Sequence, residues 1–274
     1  MDSIELVRAG RLSDARTQLI SEVRTSPGDA GRRTLLFQVR SLCGEWDKAE
    51  RDLDIIAAMD AGREAGALAY RNLVHAEKER MEVFRNGRRP SFLPETPPYI
   101  ETYYAALRKL GEKNIEEAKP LFDRVDAAVP AVSGTINGQK RFTGIKDTDS
   151  RLARFLEAFV HERYIWIPFE SLREISITPP KTLFDLIWAS AFLTLQGGLT
   201  LNCFLPVLYA ESFMHEDERI KLGRMTDWTP LGGPFSKGAG QHVFRIGEEE
   251  VALLEIREIS FNPTASEADN EKRD

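Results

Sequence analysis

A repeat with a period of 34 residues is the feature that most constrains how the first part of this chain can fold. Residues 10–27 and 44–56 share a glycine, a large residue two positions later, a small alanine and a leucine. The matched positions are Gly10, Leu12, Ala15 and Leu19 in the first copy and Gly44, Trp46, Ala49 and Leu53 in the second. Because this is the tetratricopeptide period, the sequence predicts a platform of antiparallel helix pairs.

The repeated residues have physical roles in such a unit. Glycine allows the tight turn between the two helices, and alanine is small where the helices approach each other. Pro27 would end the second helix. A weaker third copy occupies residues 99–130, in which Ile115, Ala118, Phe122 and Pro130 keep the spacing, whereas Gly111 lies two residues too early.

The segment between the second and third copies departs from the period. A long helix is expected over about residues 64–85, followed by a proline-rich stretch, residues 85–98. The basic cluster Arg85, Arg88 and Arg89 there is read as a solvated surface loop, with a phosphate or partner contact as the alternative.

After Pro130 the pattern changes to that of an α+β domain. Asn137-Gly138 indicates a hairpin, and Asp149 or Ser150 is read as the cap of a helix whose apolar face runs from Leu152 to Val160. Strands are expected over 164–169, which contains Trp166, and over 173–178. A short helix at 182–188, hairpins around Gly197-Gly198 and Gly247-Glu248, and a flexible glycine-rich loop at 231–241 complete the domain.

These patterns predict two domains and a tail: tetratricopeptide-like helices at 1–130, a mostly antiparallel α+β domain at 131–261, and a disordered polar tail at 262–274. The second domain is expected to be a curled sheet or a partly open barrel. Apolar residues make up 42% of the 274-residue chain, enough for sizeable cores.

Composition also limits the class of partner. A net charge of −6 argues against nucleic acid as the ligand of the whole molecule. No signal peptide and no apolar stretch of roughly 18–20 residues is present, so we expect a cytoplasmic protein without membrane insertion. Cys43 and Cys203 are read as small buried residues.

Few residues are candidates for chemistry, and no metal or cofactor is expected, because the four histidines lack metal-ligand spacing. Asp147, Asp149 and Arg151 could perform acid/base work, although a capped helix start with a local ion pair is the simpler interpretation. The segment from His215 to Glu218 is read as a solvated turn. Thr226-Asp227-Trp228 is read as a corner in which Asp227 fixes a turn and Trp228 packs on the sheet.

Two parts of the chain together resemble a known family. They are the N-terminal repeat pair and the stretch GTINGQKRFTGIKDTDSRL…RYIWIPFESLREISITPPKTLFDLIWASAFLTL, continued by LGRMTDW, GAGQ and LLEIREI. Over roughly residues 3–261 the chain resembles the ImpE family, also called TagJ, which comprises accessory proteins of the bacterial type VI secretion system. The resemblance implies a cytoplasmic, non-enzymatic adaptor that binds the small contractile-sheath subunit and influences how the AAA+ ATPase recycles contracted sheaths.

A repeat platform offers a concave face that suits a helix or an extended peptide. The consensus places Thr34, Gln38 and Ser41 of the second repeat on that face, and we predict that they contact the partner. Two other hypotheses stay open. One is an enzyme with Asp147, Asp149 and Arg151 joined by His215 or His242, and the other is a peptide-binding co-chaperone, which would need a basic groove.

Overall fold

The computed structural model describes residues 1–59, 62, 64–129 and 131–262. Its helices are α1 (Ser3–Arg8), α2 (Leu12–Thr25), α3 (Ala30–Leu42), α4 (Trp46–Met59), α5 (Glu64–Asn86), α6 (Ile100–Gly111), α7 (Ile115–Ala128) and α8 (Glu218–Lys221). Pro130, and the predicted disordered tail except Asn262, lie outside the described residues.

The strands begin with a short segment between α5 and α6 and otherwise follow α7. They are β1 (Ser91–Phe92), β2 (Ser133–Ile136), β3 (Lys140–Thr143), β4 (Ile145–Asp147), β5 (Phe155–Val160), β6 (Arg163–Pro168), β7 (Leu172–Ile177), β8 (Trp188–Leu195), β9 (Thr200–Pro206), β10 (Thr226–Gly232), β11 (Phe235–Gly240), β12 (Val243–Ile246), β13 (Glu249–Ala252) and β14 (Glu258–Phe261).

The turns inside three helix pairs share one backbone conformation. Gly10, Gly44 and Lys113 have φ values of 78°, 67° and 59°, and each lies two residues before the second helix of its pair. Lys113, rather than Gly111, therefore occupies the third turn position, which explains why Gly111 is out of register. The 23-residue helix α5 separates the second pair from the third, and the tetratricopeptide nature of the array stays a prediction.

Gly44 carries a second constraint besides its left-handed φ. A Cβ atom at this position would overlap the ring of Phe213. The Phe213 ring is itself held edge-on to the Trp46 ring, with 6.4 Å between the ring centroids. We expect Gly44→Ala to lower the free energy of unfolding by about 2–3 kcal/mol, because backbone strain and overpacking add.

Gly10→Ala is the matched control for that change. Gly10 has a similar φ, but its added Cβ would lie 3.4 Å from a flexible Arg224 guanidinium. We expect Gly10→Ala to lower the free energy of unfolding by about 1–2 kcal/mol, with both variants measured by urea titration. Equal losses in the two variants would show that Phe213 does not constrain the turn.

Nine strands form the main sheet in the order β1-β6-β5-β9-β8-β7-β14-β2-β3, antiparallel except for the parallel β1–β6 pair. The two end strands, β1 and β3, are not joined, so the described sheet is open and forms no closed barrel. A second sheet has the order β13-β12-β4, and β10 pairs with β11 alone. Helices followed by a mostly antiparallel sheet domain agree with the predicted class.

The main sheet is buried on both faces. One face joins the helices in a core that includes Leu36, Phe37 and Trp188. The opposite face packs against the β13-β12-β4 sheet through residues such as Leu156 and Phe244. Because a single hydrophobic cluster contains both helix and strand residues, the helices and the main sheet share a core.

The helix predicted after Asp149 is wrong, because residues 155–160 form β5. Phe155 and Phe159 point to the helical core, whereas Leu156 and Ala158 point to the opposite core. A strand buried on both faces produces a continuous apolar run, and such a run also satisfies helical spacing. Tertiary burial therefore decided between the two.

Two other local predictions need correction. The glycine-rich segment 231–241, read as a flexible loop, contributes the end of β10 and all of β11. The short helix expected at 182–188 is reduced to a 3₁₀ turn at Phe184–Leu186. The hairpins at Asn137-Gly138, Gly197-Gly198 and Gly247-Glu248 are confirmed.

Candidate functional site

A buried polar network joins α5 to the sheet domain. Arg80, only 2% exposed, donates from Nε and Nη2 to the two carboxylate oxygens of Glu157 at 2.8 and 2.6 Å. Nη2 also donates to the Leu208 carbonyl oxygen at 2.9 Å, and Glu77 lies 3.5 Å from Nη1. This bidentate geometry fixes both the distance and the orientation of α5 relative to β5.

His242 extends the network to β4. Its Nδ1 lies 2.8 Å from Asp147 Oδ2 and its Nε2 lies 3.0 Å from Glu157 Oε2, and the side chain is 3% exposed. Burial by itself would lower the pKa of His242, but the two carboxylates raise it to about 9. The ring is therefore an imidazolium that donates to both acids.

Aromatic side chains complete the network. The Tyr164 hydroxyl donates to Glu157, the Trp166 indole donates to that hydroxyl, and the Trp188 indole donates to Glu77 at 3.1 Å. Although burial raises the pKa of Glu157, Arg80 and His242 hold it well below its usual range. These contacts provide charged and hydrogen-bonding partners for the buried acids, as a stable interface requires.

The acid/base candidates Asp147, Asp149 and Arg151 divide between two interactions. Asp147 binds His242, whereas Asp149 pairs with Arg151 through Oδ2 at 2.6 Å. The Arg151 guanidinium also stacks on the Phe84 ring, with its Cζ atom 4.7 Å from the ring centroid. The predicted local ion pair is confirmed, but the helix that it was expected to start is replaced by a turn into β5.

The candidate residues between β9 and β11 lie at the surface and differ from their predicted roles. His215 Nε2 lies 3.3 Å from Asp227 Oδ2, whereas His242 pairs with Asp147, so the two histidines contact different carboxylates. Trp228 is 37% exposed and donates from Nε1 to Thr148 at 3.2 Å, so it lies on an exposed strand rather than in a packed corner. Glu218 accepts from the Leu12 amide at 2.6 Å, so the predicted solvated turn caps α2.

The predicted partner-binding residues are largely covered. Gln38 and Ser41 are 8% and 2% exposed, and Ser41 Oγ donates to the Phe37 carbonyl oxygen at 3.0 Å. Thr34 is half-buried, and its hydroxyl donates to the Ala30 carbonyl oxygen. The rings of Phe37 on α3 and Phe184 of the sheet domain are in contact, with 5.5 Å between their centroids. The sheet domain therefore covers the face of α3 that would line an open groove. A partner contact at these three positions stays a prediction.

The other predicted motif residues have structural surroundings. Ala15 and Ala49 are fully buried between helices, as the repeat pattern predicts. Cys203 is buried and Cys43 is half-buried; burial raises their thiol pKa values to about 12 and about 11. Arg85, Arg88 and Arg89 pair with Glu211, Glu79 and Glu101, which agrees with a surface loop rather than a phosphate site.

A cleft of about 830 Å³ lies between α7 and β4, and Asp147 borders it. Its charged residues are mostly paired across short distances, with Arg154 on Asp126 at 2.9 Å and Arg245 on Glu250 at 2.6 Å. The described residues contain no cluster of His, Cys, Asp or Glu that could hold a metal ion. None of the described helices has the length and apolar character needed to span a bilayer.

Comparison with known proteins identifies the family of this chain. The model of the ImpE protein family matches residues 139–260. The type VI secretion system accessory component TagJ of Pseudomonas aeruginosa is 36% identical over 260 residues, which cover 95% of this chain and 91% of that protein. The chain belongs to the ImpE/TagJ family.

The fold of this ImpE/TagJ protein also occurs in a crystal structure of a Vibrio parahaemolyticus protein. The TM-score is 0.86 at 20% identity, and the match covers 96% of this chain and 98% of the other. The likeness includes the helices as well as the sheet domain. The arrangement of helices on sheet is therefore shared beyond the 122 residues that the family model matches.

Sequence reasoning missed the centre of the polar network in this ImpE/TagJ protein. Arg80 and Glu77 lie in a helix whose apolar spacing is loose, and Glu157 interrupts an apolar run. A charged residue inside such a run is the signal that could have identified Glu157, because a buried charge needs a partner. The identity of that partner, 77 residues away, required the structure.

The charge on His242 predicts a pH dependence of stability. Its pKa in the folded protein, about 9, exceeds the ordinary histidine value of 6.5, so the stabilisation is complete below pH 6.5 and is lost as pH rises through 9. We expect the free energy of unfolding to fall by on the order of 3 kcal/mol over this range, as measured by urea titrations. His242→Gln should remove most of this slope, and an unchanged slope would assign it to other groups.

Proposed function

We propose that this protein is a non-enzymatic, cytoplasmic adaptor of a type VI secretion system. It binds the small subunit of the contractile sheath and modulates how the recycling AAA+ ATPase handles contracted sheaths. The observation that carries the proposal is the 36% identity to an accessory component of this system, maintained along 95% of the chain. This coverage includes both the helices and the sheet domain, so the relative supports an accessory role for the helices and the sheet domain together.

The arrangement of titratable groups supports an adaptor over an enzyme. His242 and Asp147 form the closest approach to an acid/base pair, but their side chains are 3% and 1% exposed and are engaged by Glu157 and Tyr209. Arg151 is committed to Asp149, and His215 to Asp227. The groups required by the enzyme hypothesis thus occupy separate contacts instead of converging on the cleft.

Isothermal titration of the purified full chain with the purified small sheath subunit tests the binding step. We expect a saturable one-site isotherm with a dissociation constant in the micromolar range or tighter. The large sheath subunit and a tetratricopeptide protein from outside the system serve as controls. The absence of heat and of co-elution in gel filtration would contradict the proposal.

The ATPase step has its own measurement. Contracted sheaths are incubated with the AAA+ ATPase and ATP, and disassembly is followed by light scattering with and without this protein. We expect the protein to change the disassembly rate in proportion to its occupancy of the small subunit. An unchanged rate at saturating protein would limit the function to binding.

A further inference from the structure

We propose that residues 218–224, which comprise α8 and the turn after it, are a latch by which the sheet domain holds the first helix pair, α1–α2, in place as a unit. The latch grips the pair with two side chains, Glu218 and Arg224. They lie 206 and 217 residues along the chain from their respective partners, Leu12 and Val7. This conformational device is independent of the proposed function, because it requires no partner.

Helix α2 takes its N-terminal cap from the latch. Its own N-cap residue, Arg11, does not cap the helix with its side chain. Instead, the amides of Leu12 and Ser13 donate to the two carboxylate oxygens of Glu218 at 2.6 and 2.9 Å, and the Ser13 hydroxyl contacts the same carboxylate. A carboxylate at this position satisfies free amides and matches the positive end of the helix dipole. The sheet domain therefore supplies a cap that the residue at the start of the helix does not.

The second grip acts on the other helix of the pair and has the opposite charge. Arg224 Nη2 donates to the Val7 carbonyl oxygen, in the last turn of α1, at 3.0 Å. A cation is favourable at the C-terminal end of a helix, where carbonyl groups point outward. One short segment therefore places an anion at the start of α2 and a cation at the end of α1, on the two sides of the turn at Gly10.

The latch itself is anchored in the sheet domain. Ile220 and Leu222 are buried, and the Gly223 carbonyl oxygen accepts from Gln241 Nε2, between β11 and β12, at 2.9 Å. Asp217 caps α8 by accepting from the backbone amide at the start of the helix. The gripping side chains are therefore presented by a segment that is fixed on the sheet domain.

The gripped pair lies at the end of the helical array, where α2 packs against α3. Ala15 and Leu19 of α2 are buried in the shared core, and Arg16 pairs with Glu45 of the next pair at 2.7 Å. In helical arrays each unit is stabilised by its neighbours, and the ends of a structure open at the lowest free-energy cost. Release of the latch would therefore free α1–α2 as a local unit while the rest of the protein stays folded.

Hydrogen exchange of the full chain carrying Glu218→Ala tests the latch. The Ala9 and Ser26 amides lie at the far ends of α1 and α2 and donate to carbonyl oxygens of their own helices. We expect both to exchange about tenfold faster in the variant, because the lost cap lowers the free energy of opening of the whole pair. The Ala49 amide of α4 should change by less than about twofold.

Two patterns of exchange would overturn the inference. Faster exchange confined to the Leu12 and Ser13 amides would show that Glu218 acts on a single turn. Equal acceleration at Ala49 would show that the whole protein, rather than the first pair, is destabilised. Glu216→Ala is the matched control: Glu216 is an exposed acid two residues before Glu218, and we expect its removal to change the exchange of the pair by less than about twofold.

A local cap provides a rescue that separates capping from any other role of Glu218. Serine is a preferred N-cap residue, so Arg11→Ser in the Glu218→Ala background gives α2 a cap of its own. We expect this double variant to return the exchange of the Ser26 amide to within about threefold of the wild type. Exchange that stays as fast as in Glu218→Ala, in a double variant with the circular dichroism spectrum of the wild type, would overturn the latch.

Discussion

Replacement of Arg80 by alanine is expected to lower the free energy of unfolding by about 3–5 kcal/mol. Arg80 and Glu157 are 2% and 3% exposed, and the guanidinium contacts both oxygens of that carboxylate. Removal of the cation leaves Glu157 and Glu77 buried without their main counter-charge. The loss is therefore dominated by the cost of uncompensated charge rather than by the hydrogen bonds themselves.

Urea titrations followed by far-ultraviolet circular dichroism measure this effect. Arg85→Ala is the matched control on the same helix: Arg85 is 43% exposed and pairs with Glu211, so we expect a loss within about 1 kcal/mol. The double variant Arg80→Met/Glu157→Gln should recover part of the stability, because it removes both charges. A loss below about 1 kcal/mol for Arg80→Ala would show that the network does not hold the helices on the sheet.

Replacement of Trp166 by alanine is the second change with a large expected effect, about 3–5 kcal/mol. The side chain is 2% exposed, and its ring is stacked on Phe155 with 4.9 Å between centroids. Phe92 and Tyr103 contact it edge-on at 6.2 and 6.4 Å. The truncation opens a cavity in the core that the helices and the sheet share, and it leaves the Tyr164 hydroxyl without its indole donor.

Trp228 provides the control of identical chemistry in a different environment. It is 37% exposed and makes a single hydrogen bond, to Thr148, so we expect Trp228→Ala to cost within about 1 kcal/mol. Circular dichroism is the appropriate probe, because each variant removes a fluorophore. Similar losses in the two variants would contradict the assignment of Trp166 to the shared core.

The sequence around the two tryptophans agrees with their different burial. Trp166 lies between Ile165 and Ile167, whereas Trp228, which was predicted to pack on the sheet, lies between Asp227 and Thr229. Trp166 is covered because β6 lies between β1 and β5 in the main sheet and its face packs against α5 and against Tyr103 of α6. Trp228 is exposed because β10, within the described part of the chain, pairs with β11 alone.

Local patterns determined the turns and the periodic helices by themselves. The turns at Gly10, Gly44 and Asn137-Gly138 need positive φ values, which glycine and asparagine adopt more readily than most residues. The structure has positive φ values at all of these positions. The same reasoning located the hairpins around Gly197 and Gly247. In each case the decisive energy term acts within a few residues, so the local sequence contains it.

Burial on two faces and pairing over long distances were decided by the tertiary structure. Residues 155–160 form a strand rather than a helix because cores lie on both sides of them, and the surface of α3 is covered because the sheet domain packs there. Arg80 pairs with Glu157 across 77 positions, and His242 pairs with Asp147 across 95 positions. Such contacts depend on desolvation and charge pairing between elements far apart in the chain, which no local pattern encodes.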